Sequence, residues 1–434
     1  MRRCLLLVCF CLLAPPSLGQ EVGTWDLLPD SPFHSYRFED ASFLNPDTGW
    51  IVNGAGEVFR TDDAGETWTM QADLPAYLRA TAFVSERRGF IGTLNESNVL
   101  YGTDDGGATF VDLTDRITGP RPVGICGMWA VNEDVVYGAG WYAAPAHFVK
   151  TTDGGQTWTS RSMDDYAASL VDVYFWDEQR GIAVGGTDGF GDGSAVVLLT
   201  EDGGETWNVQ YTSSGSFEWA WKISFPTPTT GYVSLEGAAF PAKVLKTTDA
   251  GLTWTELTIP GSSDLQGLGF ISEDMGWASG RGTTSVTTDG GQTWAPVDLD
   301  GSVNRFEFFG DSLGYAMGRR IYAYEPPAGT SPTEDELVPT LPVALGVGYP
   351  NPSAAGAVTI PYWLETPVAV ELAVFDVLGR RLAVLAEGTQ PAGAHQAVWA
   401  GSDAQGQAVA PGIYVVRLAA GDQHVARTLV RVQP

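Results

Sequence analysis

Apolar and polar positions alternate in short runs along most of this chain. From Ala41 the order is apolar strand, polar turn, glycine, apolar strand, written ASFLNPDTGWIV. The same order returns at Thr81 (TAFVSERRGFIG), Gly127 (GMWAVNEDVVYG), Val173 (VYFWDEQRGIAV), Ile223 (ISFPTPTTGYVS), Leu268 (LGFISEDMGWAS) and Phe306 (FEFFGDSLGYAM). Each copy carries an aromatic anchor: Phe43, Phe83, Trp129, Phe175, Phe225, Phe270 and Phe308. Six residues beyond each anchor stands a glycine, except in the third copy, which has Val135. Alternation and β-branched content predict strands, and no segment has a convincing helical period.

A second repeat interlocks with the first. Thr151 to Trp158 reads TTDGGQTW, and variants open at Thr61, Thr103, Thr200, Thr247 and Thr287. Their aspartates are Asp63, Asp105, Asp153, Asp202, Asp249 and Asp289, with steps of 42, 48, 49, 47 and 40. Such a period marks an array of supersecondary units. Asp beside Gly is turn chemistry: the carboxylate accepts nearby backbone N–H groups and Gly supplies positive φ. The flanking Thr residues favour extended backbone, and the closing Trp or Phe can bury a large apolar area between units.

One unit then contains four antiparallel strands in about 45 residues, the size of a propeller blade. The predicted fold class is all-β: a seven-bladed β-propeller over residues 21–325, followed by a small immunoglobulin-like β-sandwich. The seventh anchor has no octapeptide after it. Gly23-Thr24-Trp25 looks like the tail of one, followed by the strand-like Asp26-Leu27-Leu28. This N-terminal strand is expected to complete the last blade and remove a free edge.

The octapeptide resembles the Asp-box, or bacterial neuraminidase repeat, of β-propellers. There the turn is a structural device on the face away from the ligand, and that role is expected of all six aspartates. The propeller repeats resemble the photosystem II stability and assembly factor family. That family has a single seven-bladed propeller rich in such turns and serves as a non-catalytic binding scaffold. Some of its members bind through arginines on the face opposite the boxes.

The ends add targeting. Residues 1–19 have a signal-peptide pattern: Arg2 and Arg3, an apolar run from Cys4 to Leu13, and small residues at Ser17-Leu18-Gly19. No run is long enough for a transmembrane segment. Residues 326–340 are rich in Pro, Ser, Thr and acid and read as a linker. Residues 341–434 carry short strands with Gly and Pro turns, a small β-sandwich. Tyr349-Pro350-Asn351-Pro352, Val374 to Arg380 and Pro411 to Arg417 resemble the C-terminal sorting domain of the type IX secretion system. Ala373 to Leu418 also resembles the immunoglobulin-like domain of flagellar hook-capping proteins. The sorting resemblance implies export across both membranes, with type IX machinery as a partner, and localisation that is secreted or at the cell surface.

Charge narrows the partners. Of the formal −28, residues 21–325 hold 43 acids and 17 bases, a net of −26. That field argues against nucleic acid. Beyond the signal segment Cys126 stands alone, in an apolar run that suits a buried residue.

The expected binding face is the one opposite the boxes. Long loops in the third to fifth units bring Trp141, Tyr142, Phe190, Phe217, Trp219, Trp221 and Phe240 toward one sector, as a stacking platform or as packing between blades. Arg37, Arg79, Lys222 and Arg305 precede strands whose starts should ring the channel mouth. Asp188 and Asp192 offer a weak calcium pattern, and no other cofactor is implied. The function expected is an exported, non-catalytic binder of a protein or polysaccharide. The alternative is a glycoside hydrolase, since xyloglucan-type endoglucanases use such propellers. Asp164, Asp165, Glu218 and Asp264 would then be the candidate carboxylates. Sialidases share the box, but their arginine and tyrosine settings have no counterpart here.

Overall fold

The computed structural model describes residues 22–327, apart from 190–191, 238–240, 300–302 and 310–312. Beyond that it describes 343–345, 358–364, 366–376, 380–410, 412–421 and 423–431. The chain divides into two compact units, Met1–Pro327 and Ala328–Pro434.

The first unit is a seven-bladed β-propeller. Its described residues form seven antiparallel sheets, six of four strands and one of five. The innermost strands are Phe38–Phe43, Leu78–Phe83, Gly127–Ala130, Ser169–Phe175, Glu218–Ser224, Gly267–Phe270 and Arg305–Phe309, in blades one to seven. The extra strand, Ile117–Thr118, adds in parallel to the outer strand Trp158–Ser162 of blade three. In the last blade, Thr24–Leu27 pairs antiparallel with Ile321–Glu325. Trp25 from this strand lies against Trp277 at 5.3 Å, edge to face. The chain thus closes on itself by hydrogen bonds and by an aromatic contact.

The anchor pattern has a packing cause. The glycine six residues on sits across the strand pair from its anchor: Gly49 faces Phe43, Gly89 faces Phe83, and Gly276 faces Phe270. A Cβ there would overlap the anchor ring. The residue after the glycine stacks on the anchor of the next blade. Trp50 lies 3.8 Å from Phe83, Tyr232 3.5 Å from Phe270, and Tyr315 4.9 Å from Phe43. Each such pair adds about 0.5–1.5 kcal/mol beyond its area. In blade three, Val135 replaces the glycine and the anchor Trp129 tilts onto Tyr174 of blade four, 4.6 Å away.

All six octapeptides fold alike. The leading Thr hydroxyl donates to the Asp Oδ1 and accepts the N–H of the residue two beyond that Asp; for Thr151 these distances are 2.8 and 2.9 Å. The same carboxylate accepts the N–H and hydroxyl of the following Thr, at 2.9 and 2.6 Å for Thr157. Two successive residues take positive φ, Gly154 and Gly155 in this copy. Among the described residues, the side-chain hydrogen bonds of these six aspartates are all made within their own turns.

The second unit is a β-sandwich. Val343–Leu345, Val358–Leu364 and Gly393–Trp399 form one sheet. Arg381–Gln390, Val368–Asp376, Gly412–Ala420 and Gln423–Arg431 form the other, in that order. Ile360, Tyr362, Leu364 and Trp399 meet Leu372, Val374, Val416 and Leu418 in the core, the arrangement expected of two packed sheets.

Candidate functional site

The propeller channel is lined by the innermost strands, and four of these depart from regular pairing. Register shifts fall between Phe38 and Asp40, Leu78 and Ala80, Leu170 and Asp172, and Ala220 and Ile223. A bulge inserts a residue and re-aims a side chain. The inserted residues here are Glu39, Arg79, Val171 and the pair Trp221-Lys222. Counting back from each anchor, the same two positions also hold Asp40, Asp172, Gln266, Asn304 and Arg305.

These side chains meet across the channel. Arg79 of blade two lies 5.5 Å above the Trp221 ring of blade five. Arg305 of blade seven reaches Asp40 of blade one at 3.4 Å and Asp172 of blade four at 3.8 Å. It also pairs with Glu307 at 2.6 Å. Glu39 is fully buried and accepts from Arg37 at 2.9 Å, with Arg79 at 3.2 Å. The channel is therefore plugged by charge rather than open. Burial works to raise the Glu39 pKa, but Arg79 and Arg37 outweigh it and hold the carboxyl below its usual range. Burial raises the Glu307 carboxyl. It pushes the Lys222 ammonium down to about 8 and the Cys126 thiol up to about 11.

Two of the carboxylates also join blades. Asp40 Oδ2 accepts the Thr81 N–H at 2.9 Å, and Asp172 Oδ2 accepts that of Ile223 at 3.2 Å. Asn304 donates to the Glu39 carbonyl at 2.8 Å across the closing interface. Innermost strands have a bare edge toward the channel, and these side chains cap its N–H and C=O groups.

At the channel mouth lies a cavity of about 380 Å³. Arg37, Tyr36, Tyr77, Gln266, Arg281 and Arg319 are among its walls. All six belong to connections at the end of the blades opposite the octapeptides. Arg37 donates to Gln266, and Gln266 in turn to Glu236, whose carboxyl burial raises. Tyr77 donates to Glu39. Arg281 is exposed and pairs with Asp264 at 3.1 Å. Arg319 is exposed and makes no ion pair with the described residues. Tyr36 is 51% exposed, stacks on His34 at 5.6 Å and meets Tyr77 edge-on at 6.3 Å.

The residues singled out from sequence divide. Arg79, Lys222 and Arg305 come together in the plug, and Arg37 stands at its mouth. Trp219 and Trp221 differ from the expectation of loop aromatics. They lie within the strand Glu218–Ser224, 9% and 6% exposed, packed with Val171 and Tyr142. The apolar wall of the channel claims them. Trp141 and Tyr142 stack on each other at 4.8 Å and are half-buried. Phe217 is 45% exposed, while Phe190 and Phe240 lie outside the described residues. Glu218 is buried and paired with Lys243 at 2.9 Å. Asp188 gives its carbonyl to Ser169 at 3.1 Å and its carboxylate to Gly189 at 2.6 Å. Asp192 is exposed, and among the described residues no group of three His, Cys, Asp or Glu could hold a metal ion. Glu39, Asp40, Asp172, Glu307, Tyr77 and Gln266 were not anticipated. For Glu39, Asp40, Asp172 and Gln266 the signal was available three or four residues before an anchor, whereas Tyr77 and Glu307 stand at neither offset.

Comparison with known proteins bears on both units. Residues 352–424 match the FlgD Ig-like domain family. The photosystem II assembly lipoprotein Ycf48 of Synechococcus sp. (strain CC9902) is 26% identical over 293 residues, 65% of this chain and 82% of that protein. A solved structure described as YCF48 bound to D1 peptide superposes with a TM-score of 0.54 at 19% identity, over 73% of this chain and all of that one. An ancestral GH74 enzyme superposes with a TM-score of 0.52 at 14% identity, covering 94% of this chain and 63% of its own. The propeller is thus similar in sequence and fold to the photosystem II assembly factors, and the C-terminal unit carries a stretch similar to the Ig-like domain of FlgD.

Proposed function

We propose that this chain is an exported, non-catalytic propeller that captures an acidic protein segment outside the cell. The contact is made through the face opposite the octapeptides. The observation that carries this reading is the cavity at the channel mouth, walled by Arg37, Arg281 and Arg319 with Tyr36 and Tyr77 beside them. Arginine donors suit carboxylates, and the exposed Tyr36 supplies contact area at low entropic cost. A relative of the same fold binds a peptide, as the description of the YCF48 complex states. Export rests on the pattern of residues 1–19, which lie outside the described residues. Delivery rests on the type IX resemblance of the C-terminal unit, whose Tyr349-Pro350-Asn351-Pro352 motif also lies outside them.

A second reading has one observation in its favour. Glu236 is a half-buried carboxyl that burial raises, and the charge of Asp264 adds to that rise. A raised acid near an ionised carboxylate is the arrangement glycoside hydrolases use, and one of the similar folds is a GH74 enzyme.

One experiment separates the readings. The full chain is offered a panel of acidic peptides and of plant and bacterial polysaccharides, and both retention and released sugar are measured. Retention of acidic peptides is expected, weakened about tenfold or more by Arg281→Ala with Arg319→Ala, as loss of charged hydrogen bonds predicts. Sugar release that disappears in Glu236→Gln would make the protein a hydrolase. Peptide affinity unchanged in the arginine double variant would move the site elsewhere on the ring.

A further inference from the structure

The connection from the ring-closing strand Thr24–Leu27 to the innermost strand of blade one holds most of the exposed aromatic surface. Among the described residues three aromatic side chains are exposed: Phe33 at 63%, Tyr36 at 51% and Phe217 at 45%. Two of the three belong to this one connection. Scattered exposed apolar residues need no explanation, whereas clustered ones mark contact surfaces.

The cluster is held in place. The Leu28 N–H donates to the Ile321 carbonyl at 3.0 Å, and the Phe38 N–H to that of Gly318 at 2.7 Å. The connection is thus fastened at both ends to the hairpin of blade seven, on either side of Arg319 and Arg320. Within it, the Ser31 N–H donates to the Leu28 carbonyl at 3.1 Å and the Tyr36 N–H to His34 Nδ1 at 3.0 Å. That second bond accompanies the stacking of His34 on Tyr36 at 5.6 Å. Arg320 lies over the Phe33 ring at 5.1 Å.

This surface is continuous with the cavity at the channel mouth. Tyr36 and Arg319 belong to the cavity wall. Tyr36 stacks on His34, and Arg319 precedes Arg320 in the chain. Tyr36 also meets Tyr77, another wall residue, edge-on at 6.3 Å. Arg319 and Arg320 are exposed and make no ion pair with the described residues. Arginine and tyrosine are enriched among the residues that carry binding energy at protein interfaces. Arginines alone select only for charge. The rings beside them offer apolar area that a purely acidic segment would leave in water.

We infer that Phe33, His34 and Tyr36, with Arg320, form a ledge that seats one large aliphatic or aromatic side chain of the captured segment. That side chain stands next to the acidic residues held in the cavity. The inference rests on the reading of the mouth as a site for acidic segments, and it narrows the partner to an acidic sequence with an apolar neighbour. Because the connection is fastened at both ends, little order is lost when the segment docks. The ledge lies at the seam of the ring, so the strand that closes the propeller also builds its binding surface.

The test measures fluorescence anisotropy of labelled peptides with the full chain. One probe is Gly-Ser-Glu-Asp-Glu-Ser-Gly. Two more carry Phe in place of the serine on one side of the acids or on the other. At least one Phe peptide should bind about tenfold more tightly than the serine peptide, as partial burial of a ring predicts. Phe33→Ser should remove most of that gain and leave the affinity of the serine peptide unchanged. Phe33→Tyr, which keeps a ring, should retain the gain. Equal affinity for all three peptides in the parent chain overturns the inference and leaves capture of acidic segments standing. A gain that survives Phe33→Ser overturns it too, since the added ring then sits elsewhere. Sedimentation of the chain alone tests a further occupant. Self-association that Phe33→Ser abolishes would make a second copy the occupant and overturn the assignment. A chain that binds none of the peptides sinks both this inference and the reading beneath it.

Discussion

Thr151 and Asp153 together satisfy most of the polar groups that their turn would otherwise strand, and the Asp134 carbonyl takes the Gly154 N–H. The Thr hydroxyl takes the Gly155 N–H while donating to Asp153, and Asp153 takes both groups of Thr157. This chemistry was legible in the sequence, because Thr, Asp and Gly at those offsets each have one natural use. The structure adds the electrostatic consequence. Hydrogen bonds from the following Thr lead the causes that hold Asp63, Asp105 and Asp153 below the ordinary aspartate range, Asp105 at about 2. Asp202, Asp249 and Asp289 are lowered by the same bonds against some burial. A carboxyl whose folded pKa lies below its unfolded value stabilises the fold above the unfolded value, near 3.8. That contribution is lost as pH falls toward the folded value. With six such carboxyls, the melting temperature should be level through neutrality and fall steeply between about pH 4 and pH 2. Thermal scans across that range check it, and a decline centred above pH 5 would assign acid lability to other groups. The charged residues of the plug were legible only in part. Arg37, Arg79, Lys222 and Arg305 stood out as bases in an acidic ring, whereas their acidic partners were lost among 43 acids.

At the scale of strands, the repeat in the sequence carried the architecture further than single residues could. The aromatic anchor and its glycine recur because a ring lies flat over a cross-strand residue with no Cβ. The count of anchors gave seven blades when the octapeptides numbered six. The bulges could not be read in the same way. Alternation assigns Glu39 and Asp40, or Trp221 and Lys222, to opposite faces of a strand, whereas the register shifts turn both toward the channel side. The repeat opens this strand at Ile223, so Trp219 and Trp221 read as loop aromatics, whereas the strand begins at Glu218. The short strand Thr24–Leu27 allows a direct test of ring closure. Trp25 is 8% exposed and touches Trp277, Phe306 and Tyr324 within 5.6 Å. Trp25→Ala should cost about 3–5 kcal/mol, the range for a large aromatic removed from a packed site. Urea unfolding of parent and variant measures the difference. A loss below about 1 kcal/mol, the scale of an ordinary surface change, would mean that the N-terminal strand does not hold the ring shut.

The whole ring sets a long-range field against the local one at its mouth. Residues 21–325 carry a net charge of −26, yet the cavity is walled by Arg37, Arg281 and Arg319. These fields act at different distances. At low salt the Debye length exceeds 10 Å, so an approaching acidic peptide meets the summed charge of the ring first. Within a few ångströms the arginines would dominate, because their donors would face the carboxylates of a captured segment directly. Salt therefore has opposite effects on the two stages. Raising sodium chloride from about 20 to about 200 mM screens the long-range repulsion, and the association rate of an acidic peptide should rise. The dissociation rate should rise as well, because the contact ion pairs weaken, so affinity changes less than either rate. Stopped-flow binding of a labelled acidic peptide at several salt concentrations measures both. A basic peptide should show the usual fall in association rate, which controls for viscosity and ion-specific effects. If the acidic peptide also associates more slowly as salt rises, the arginine field reaches past the acidic coat. Capture would then be steered by the mouth itself, and substituting Arg319, which is exposed and makes no ion pair with the described residues, should be enough to flatten that salt response.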